Sequence, residues 1–178
     1  MNKRETILMT AARQIHENGY HHVGIKSILD ELQIPKGSFY HFFKSKEALG
    51  LEIIQFYIED TKSCIAGVED SLQGLEDFFN IFFNRLRQLE LRRGCPVGNL
   101  ILELSDDKEV FREKLSEWYE LVITWVSDIL RNNGIDQAAI KAKALFAAFE
   151  GAMLTSKVNK KEEHFNIFIE VTLKSIIG

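Results

Sequence analysis

Only two prolines, Pro35 and Pro96, interrupt 178 residues, and the apolar positions recur at three- and four-residue steps almost throughout. That spacing builds one-sided helices, whereas strands need alternation at every second residue, so the chain is committed to helices packed on helices. Ile7, Leu8, Ala11, Ala12 and Ile15 form one stripe, stopped at Asn18-Gly19. Ile25, Ile28, Leu29 and Leu32 form a second, short helix, and a third opens at Pro35, which suits a first helical position because it has no N–H to leave unpaired. Ser45 caps a fourth, carried on by Leu51, Ile54, Ile58 and Ile65. An aromatic helix with Leu75, Phe78, Phe79, Phe82, Phe83, Leu86 and Leu89 is expected to end at Arg92-Arg93-Gly94. Cys95-Pro96 opens a shorter one, residues 108–132 make a long one, and 136–157 and 161–177 complete about nine helices with no strand. The expectation is an all-α fold, with a three-helix head over residues 1–46 and a helical body over 47–178.

Charge is divided the same way. The net −4 splits into +3 for residues 1–46, from seven Lys/Arg against four Asp/Glu, and −7 for the rest, from fifteen against twenty-two. A basic head on an acidic body suits a module for a polyanion joined to something that does not touch it. Within the head, the short helix over 24–32, the tight connection at Gln33-Ile34 and the helix from Pro35 follow the helix-turn-helix plan, in which the second helix enters the major groove of duplex DNA. Lys36 and Ser38 then lie at its leading end, Tyr40 and His41 follow, and Gly37 allows close backbone approach. Lys44 and Lys46, beside the free amides that open the fourth helix, suit a phosphate, and Lys26 suits another.

Gly19-Tyr20, then Ile25-Lys26-Ser27-Ile28, then the run from Ile34-Pro35-Lys36-Gly37-Ser38-Phe39-Tyr40-His41 through Phe42-Phe43-Lys44-Ser45-Lys46-Glu47-Ala48-Leu49 resembles the N-terminal signature of TetR-family regulators. The resemblance implies an all-α homodimer that binds operator DNA, with its last two helices at the dimer interface and an effector pocket in the body. Two positions depart from the signature. Val23-Gly24 stands where a Thr or Ser usually opens the second helix, removing a hydroxyl and an N-cap, and Phe42 replaces a frequent His and is expected to pack inward.

In the body, Phe82, Trp118 and Trp125 are candidates to line a cavity between helices, though aromatics at helical spacing more often serve as core. Glu150, inside an apolar run, either meets solvent or is buried for a purpose, and solvent is the simpler expectation. Gly94-Cys95-Pro96 sets a sulfur at a helix N-terminus next to Arg92 and Arg93, a setting that favours a reactive thiolate; the competing reading is a small buried side chain. The same stretch, with Gly151 to Lys157, resembles a branch of the TetR family that represses detoxification genes and responds to reactive electrophiles; Lys157 near Cys95 would favour thiolate further. Cys64 has no such setting. Ala144, Ala148, Gly151, Phe165, Ile169 and Thr172 are the candidates for a two-fold interface.

Two cysteines without a disulfide framework, an amphipathic start at Met1-Asn2-Lys3-Arg4-Glu5 and no long apolar run point to a cytoplasmic protein with no membrane partner. No metal-ligand cluster or cofactor motif is present, and no His or acid stands at a spacing that would make Cys95 an enzyme nucleophile. The reading is therefore a DNA-binding regulator, a repressor released by a small-molecule or thiol-reactive effector. Its rivals are a helical interaction protein with a degenerate helix-turn-helix and a regulator that answers to an unreactive hydrophobic ligand.

Overall fold

The computed structural model describes residues 2–178; Met1, at the head of the amphipathic start, lies outside the described residues. Nine helices and no strand are found among the described residues: α1 (Lys3–Asn18), α2 (Ile25–Leu32), α3 (Lys36–Phe42), α4 (Lys46–Ala66), α5 (Leu72–Gln88), α6 (Pro96–Leu104), α7 (Glu109–Asn132), α8 (Ala138–Asn159) and α9. The last runs over Glu163–Ile167, widens to a π-helical stretch at Phe168–Leu173, and closes at Lys174–Ile177.

The first three helices wrap a small core of Ile7, Ala11, Ala12, Ile15, Ile28, Leu29 and Phe39. Asn2 and Glu5 form a reciprocal cap at the start of α1. Polar side chains fix α1 against α2: Gln14 Nε2 donates to Glu31 Oε2 at 2.7 Å, and Ser27 Oγ donates to Gln14 Oε1 at 3.0 Å. Gly24 caps α2 with no side-chain bond, as its identity dictates. Pro35 sits one residue earlier than expected, as the N-cap of α3; its extended ψ of 143° holds it outside the helix. Phe42 is half-buried against the core, in line with its replacing a polar residue.

α4 joins head to body. Ser45 caps it by accepting from the Ala48 N–H at 3.0 Å, and its first turn is pinned to the loop after α1. There Lys46 Nζ donates to the Tyr20 carbonyl at 2.6 Å and lies 4.4 Å from the centre of the Tyr20 ring. At Gly50 the helix is as close as chemistry allows: a Cβ there would meet Tyr20 Cε2 at 2.8 Å and Phe111 of α7 at 3.1 Å.

The body is held by an aromatic core in which Phe79, Phe83, Phe149, Phe165 and Phe168 all touch one another or a shared neighbour; Phe83 stacks on Phe165 at 4.2 Å. Each such pair adds about 0.5–1.5 kcal/mol beyond the area it buries. α5 ends at Gln88, earlier than the sequence suggested, and residues 89–94 form a tight turn. Glu90, Leu91, Arg93 and Gly94 all take left-handed conformations there, with φ of 53°, 55°, 74° and 73°. Three of the four are not glycine and cost about 1 kcal/mol or more each, so tertiary bonds must hold them.

Candidate DNA-binding face and effector cavity

α3 turns Phe39 into the head core and leaves Lys36, Gly37, Tyr40 and His41 exposed, with Ser38 half-exposed. Tyr40 is 53% exposed even though its ring rests edge-on against Phe39. Pro35, Lys44 and Lys26 are exposed as well, and among the described residues no ion pair occupies Lys26, Lys36 or Lys44. No Asp or Glu occurs from Leu32 to Lys46, so the face carries only positive charge. Lys46 is the exception to the expected set. Its ammonium is taken by the Tyr20 carbonyl and ring, and burial pulls its pKa down; it locks α4 to the head and is not free for a phosphate.

The body contains two adjoining cavities that meet at Cys95. The inner one, about 200 Å³, lies between α4, α5, α7 and the start of α6, with Tyr57, Thr61, Phe82 and Trp118 in its wall. Trp118 is buried, and its Nε1 donates to Thr61 Oγ1 at 2.9 Å, which ties α7 to α4. The outer one, about 290 Å³, lies between α6 and α8 and is walled by Ile101, Leu102, Phe146, Met153 and Leu154, with Glu150 at its floor and Lys157 at its solvent end. Phe82 and Trp118 therefore line a cavity as expected, but Trp125 does not. It packs on Phe78 at 4.7 Å, because its place on α7 faces the middle of α5.

Cys95 caps α6, and its Sγ accepts from the Gly98 N–H at 3.2 Å. Cys95 thus stands at the helix terminus that the sequence indicates, but in the buried setting of the competing reading. The side chain is only 6% exposed, and burial pushes the thiol well above its ordinary range, with the charge of Glu150 pushing the same way and the Gly98 N–H opposing. Arg92 pairs with Glu90, Arg93 donates to the Glu17 carbonyl, and Lys157 lies out beside Gly94, so no cation offsets the burial. The resting group is a neutral thiol. Glu150 is likewise not the solvated carboxylate expected: Oε1 is buried without a hydrogen-bond partner among the described residues, and burial raises its carboxyl. Cys64 is also a thiol raised by burial, against Arg85.

The turn that carries Cys95 is fastened to the DNA-binding head. His16, in the last turn of α1, bonds through Nε2 to the Gly94 carbonyl at 2.9 Å, and Arg93 reaches the Glu17 carbonyl beside it. From the body, Asn99 Nδ2 donates to the Arg93 carbonyl at 2.8 Å and Lys160 Nζ to the Leu91 carbonyl at 2.9 Å. Nothing in the sequence marked His16, since the pairing spans 78 residues.

The interface candidates divide. Ala144 is exposed, and Ala148, Gly151 and Thr172 are half-exposed. Phe165 and Ile169 are buried in their own subunit, Phe165 to 1% exposure, because α9 must first turn an apolar stripe to its own core. Sequence reasoning missed Ile140, Leu154, Val158, Ile167 and Val171, which are exposed apolar side chains on α8 and α9.

A three-helix head with a bare cationic second helix, fixed to an all-helical body with an internal cavity, defines a one-component helix-turn-helix transcription regulator. Comparison with known proteins agrees. Residues 7–53 match bacterial regulatory proteins of the tetR family, and residues 71–171 match the LmrA/YxaF-like transcriptional regulator C-terminal domain. An uncharacterised HTH-type transcriptional regulator of Lactococcus lactis subsp. lactis is 30% identical over 178 residues, covering 93% of this chain and 91% of that one. The HTH-type transcriptional repressor DhaR of a Mycobacterium species is 26% identical over 189 residues, covering 98% and 92%. The crystal structure of the regulatory protein TetR from Rhodobacter sphaeroides superposes with a TM-score of 0.86 at 26% identity, over 96% of each chain. The chain belongs to the TetR family. Regulators of this family are not enzymes; they bind operator DNA and act as dimers. No described helix is long and apolar enough to cross a membrane.

The His16 bond has a pH signature. Burial, the largest influence, lowers its imidazole pKa, so the unfolded chain takes up the proton first as pH falls. Stability from the neutral ring is complete above the ordinary value of about 6.5 and is lost as pH falls from there through the lowered folded value. Between pH 7.5 and 5 the urea midpoint of the parent protein should fall further than that of His16→Gln; equal falls would show that the ring is not buried in its neutral form.

Proposed function

We propose that the protein is a transcriptional repressor that grips a pseudo-palindromic operator with the α3 faces of a homodimer and lets go when a small molecule enters the cavities around Cys95. The observation that carries the reading is the α3 face, which offers exposed Lys36, Tyr40, His41 and Lys44 with no carboxylate among them. Lys36 is at the leading end of the helix and Tyr40 one turn behind it, where base edges are read; Lys26 and Lys44 flank it, where phosphates run. The division at residue 46 follows the same logic: everything that meets DNA precedes it. That a relative is named a repressor favours repression over activation.

Dimerisation is assigned to α8 and α9. Ile140, Ala144, Ala147, Gly151, Leu154 and Val158 recur at alternating steps of four and three along the outer side of α8, a seam of the kind that interlocks helices of two subunits. Ile167 and Val171 extend it on α9, and Ala148 and Thr172 border it. Two copies of this pair would form a four-helix interface and set the two α3 helices about one DNA turn, 34–36 Å, apart.

Release follows from the attachments of the cavity. A ligand in the inner cavity presses on Tyr57 and Thr61 of α4, and one at Cys95 displaces the turn that His16 and Arg93 fasten to α1. Both contacts lead to the head, so occupancy changes the angle of α3 relative to its twin. A second reading, in which the effector is an unreactive hydrophobic molecule, is favoured by the raised Cys95 thiol and the apolar walls.

Selection of binding sites from random duplexes should recover an inverted repeat. On that site Lys44→Ala should weaken binding by about tenfold and reduce the salt slope by about one, while Tyr40→Ala weakens it with the slope unchanged. Failure to retain any duplex at low salt would remove the reading. Leu154→Glu should convert the dimer to monomers in sedimentation at micromolar concentration, and an unchanged dimer would move the interface elsewhere.

A further inference from the structure

Glu150 and Cys95 come from different helices and meet across Gly98. A Cβ on that glycine would lie 2.6 Å from Glu150 Oε2 and 3.2 Å from Cys95 Cβ, so the missing side chain is what lets the carboxyl reach the sulfur. The remaining oxygen, Oε1, is buried and unbonded, and no cation pairs with the group among the described residues. A buried carboxyl oxygen left without a partner costs stability, about 1–3 kcal/mol. It stands on the floor of a cavity whose other walls are Ile101, Leu102, Phe146, Met153 and Leu154.

We propose that Glu150 is the proton acceptor through which the buried Cys95 thiol adds to small uncharged electrophiles, activated alkenes above all, that enter the outer cavity. This rests on the proposed function only in taking that cavity as the effector site. As the sulfur bonds to the β-carbon of the alkene, the thiol proton passes to Glu150 and the π pair moves toward the carbonyl of the electrophile. The protonated carboxyl then returns the proton to the α-carbon. The net change is addition of S–H across the double bond; no oxidant or reductant is consumed and the carboxylate is restored.

The cavity selects the class of electrophile. At about 30 Å³ per water-sized group, a volume of about 290 Å³ holds roughly ten such groups. Apart from Glu150, the cavity walls are mostly apolar, Asn99 and Lys157 being the exceptions, and so favour uncharged molecules. Burial raises the Glu150 carboxyl and so makes it a stronger base than a free carboxylate.

The test turns on a sign. If Glu150 acts on Cys95 only as a nearby negative charge, replacing it with a neutral group eases thiolate formation and speeds alkylation. If it is the base, the replacement slows it. In a Cys64→Ser chain, which leaves Cys95 as the single thiol, adduct formation with methyl vinyl ketone is followed by intact-protein mass spectrometry from pH 6 to 9.5. The expected result is a parent rate that levels off once the carboxyl is ionised. Glu150→Gln should react at least tenfold more slowly at pH 7, with a rate rising about tenfold per pH unit, and Glu150→Asp should lie between the two. A Gln variant as fast as the parent, or faster, overturns the proposal, as does a parent whose Cys95 forms no adduct. Should the Gln variant fail to fold, the parent profile decides alone, since a tenfold rise per unit up to pH 9 means direct thiolate attack. Operator binding does not enter this measurement. An adduct that forms as expected but leaves DNA bound counts against the proposed function and not against the role of Glu150.

Discussion

The turn at residues 89–94 is the constraint on which the sensing half of the molecule depends. Its left-handed residues are unfavourable in isolation and persist because four bonds converge on it, two from α1 and two from the body. Because the chain leaves the turn directly into the cap of α6, the position of Cys95 is set by the same bonds. The cavities, the buried thiol and the contact with the head are therefore consequences of one local geometry. A segment held this way has few alternative conformations, and a displaced one must break bonds to α1 or to α8–α9.

The junction at α4 complements it. Lys46 spends its charge on Tyr20, and Gly50 admits Tyr20 and Phe111 at contact distance, so the first turn of α4 moves with the head. Lower down, the same helix contributes Tyr57 and Thr61 to the inner cavity. One helix thus touches both the inner cavity and the base of the DNA-binding unit, while the clamp from His16 supplies a second, shorter connection. Between them the cationic face of α3 is presented with no function in the fold beyond Phe39 and is free to meet a polyanion.

What the sequence revealed and what it hid follow a physical line. Helices, caps and the helix-turn-helix depend on neighbours within a few residues, so Ser45, Gly19 and the stripe of α1 could be read directly. Cys95 at the mouth of α6 was legible for the same reason. Its protonation was not, because burial by α4, α7 and α8 outweighs a helix terminus and two arginines that turn elsewhere. Glu150 looked like a surface residue because its neighbour Gly98 is fifty-two positions away in sequence. Phe165 and Ile169 read as interface because an apolar stripe does not say whether it faces its own core or a second copy; the exposed apolar positions of α8 are set apart only by how the helices pack.

Coupling of the cavity to the head is proposed to run in part through the bond between His16 and Gly94. It is tested most directly by operator affinity in a double-mutant cycle. Met153 borders both cavities, so Met153→Trp fills them from within. The account predicts that this substitution alone weakens operator binding at least tenfold and that His16→Leu alone changes it less than threefold. The two together should regain at least half of the lost affinity on a logarithmic scale, because the route through His16 is cut while that through α4 remains. A double variant as weak as Met153→Trp would contradict the account.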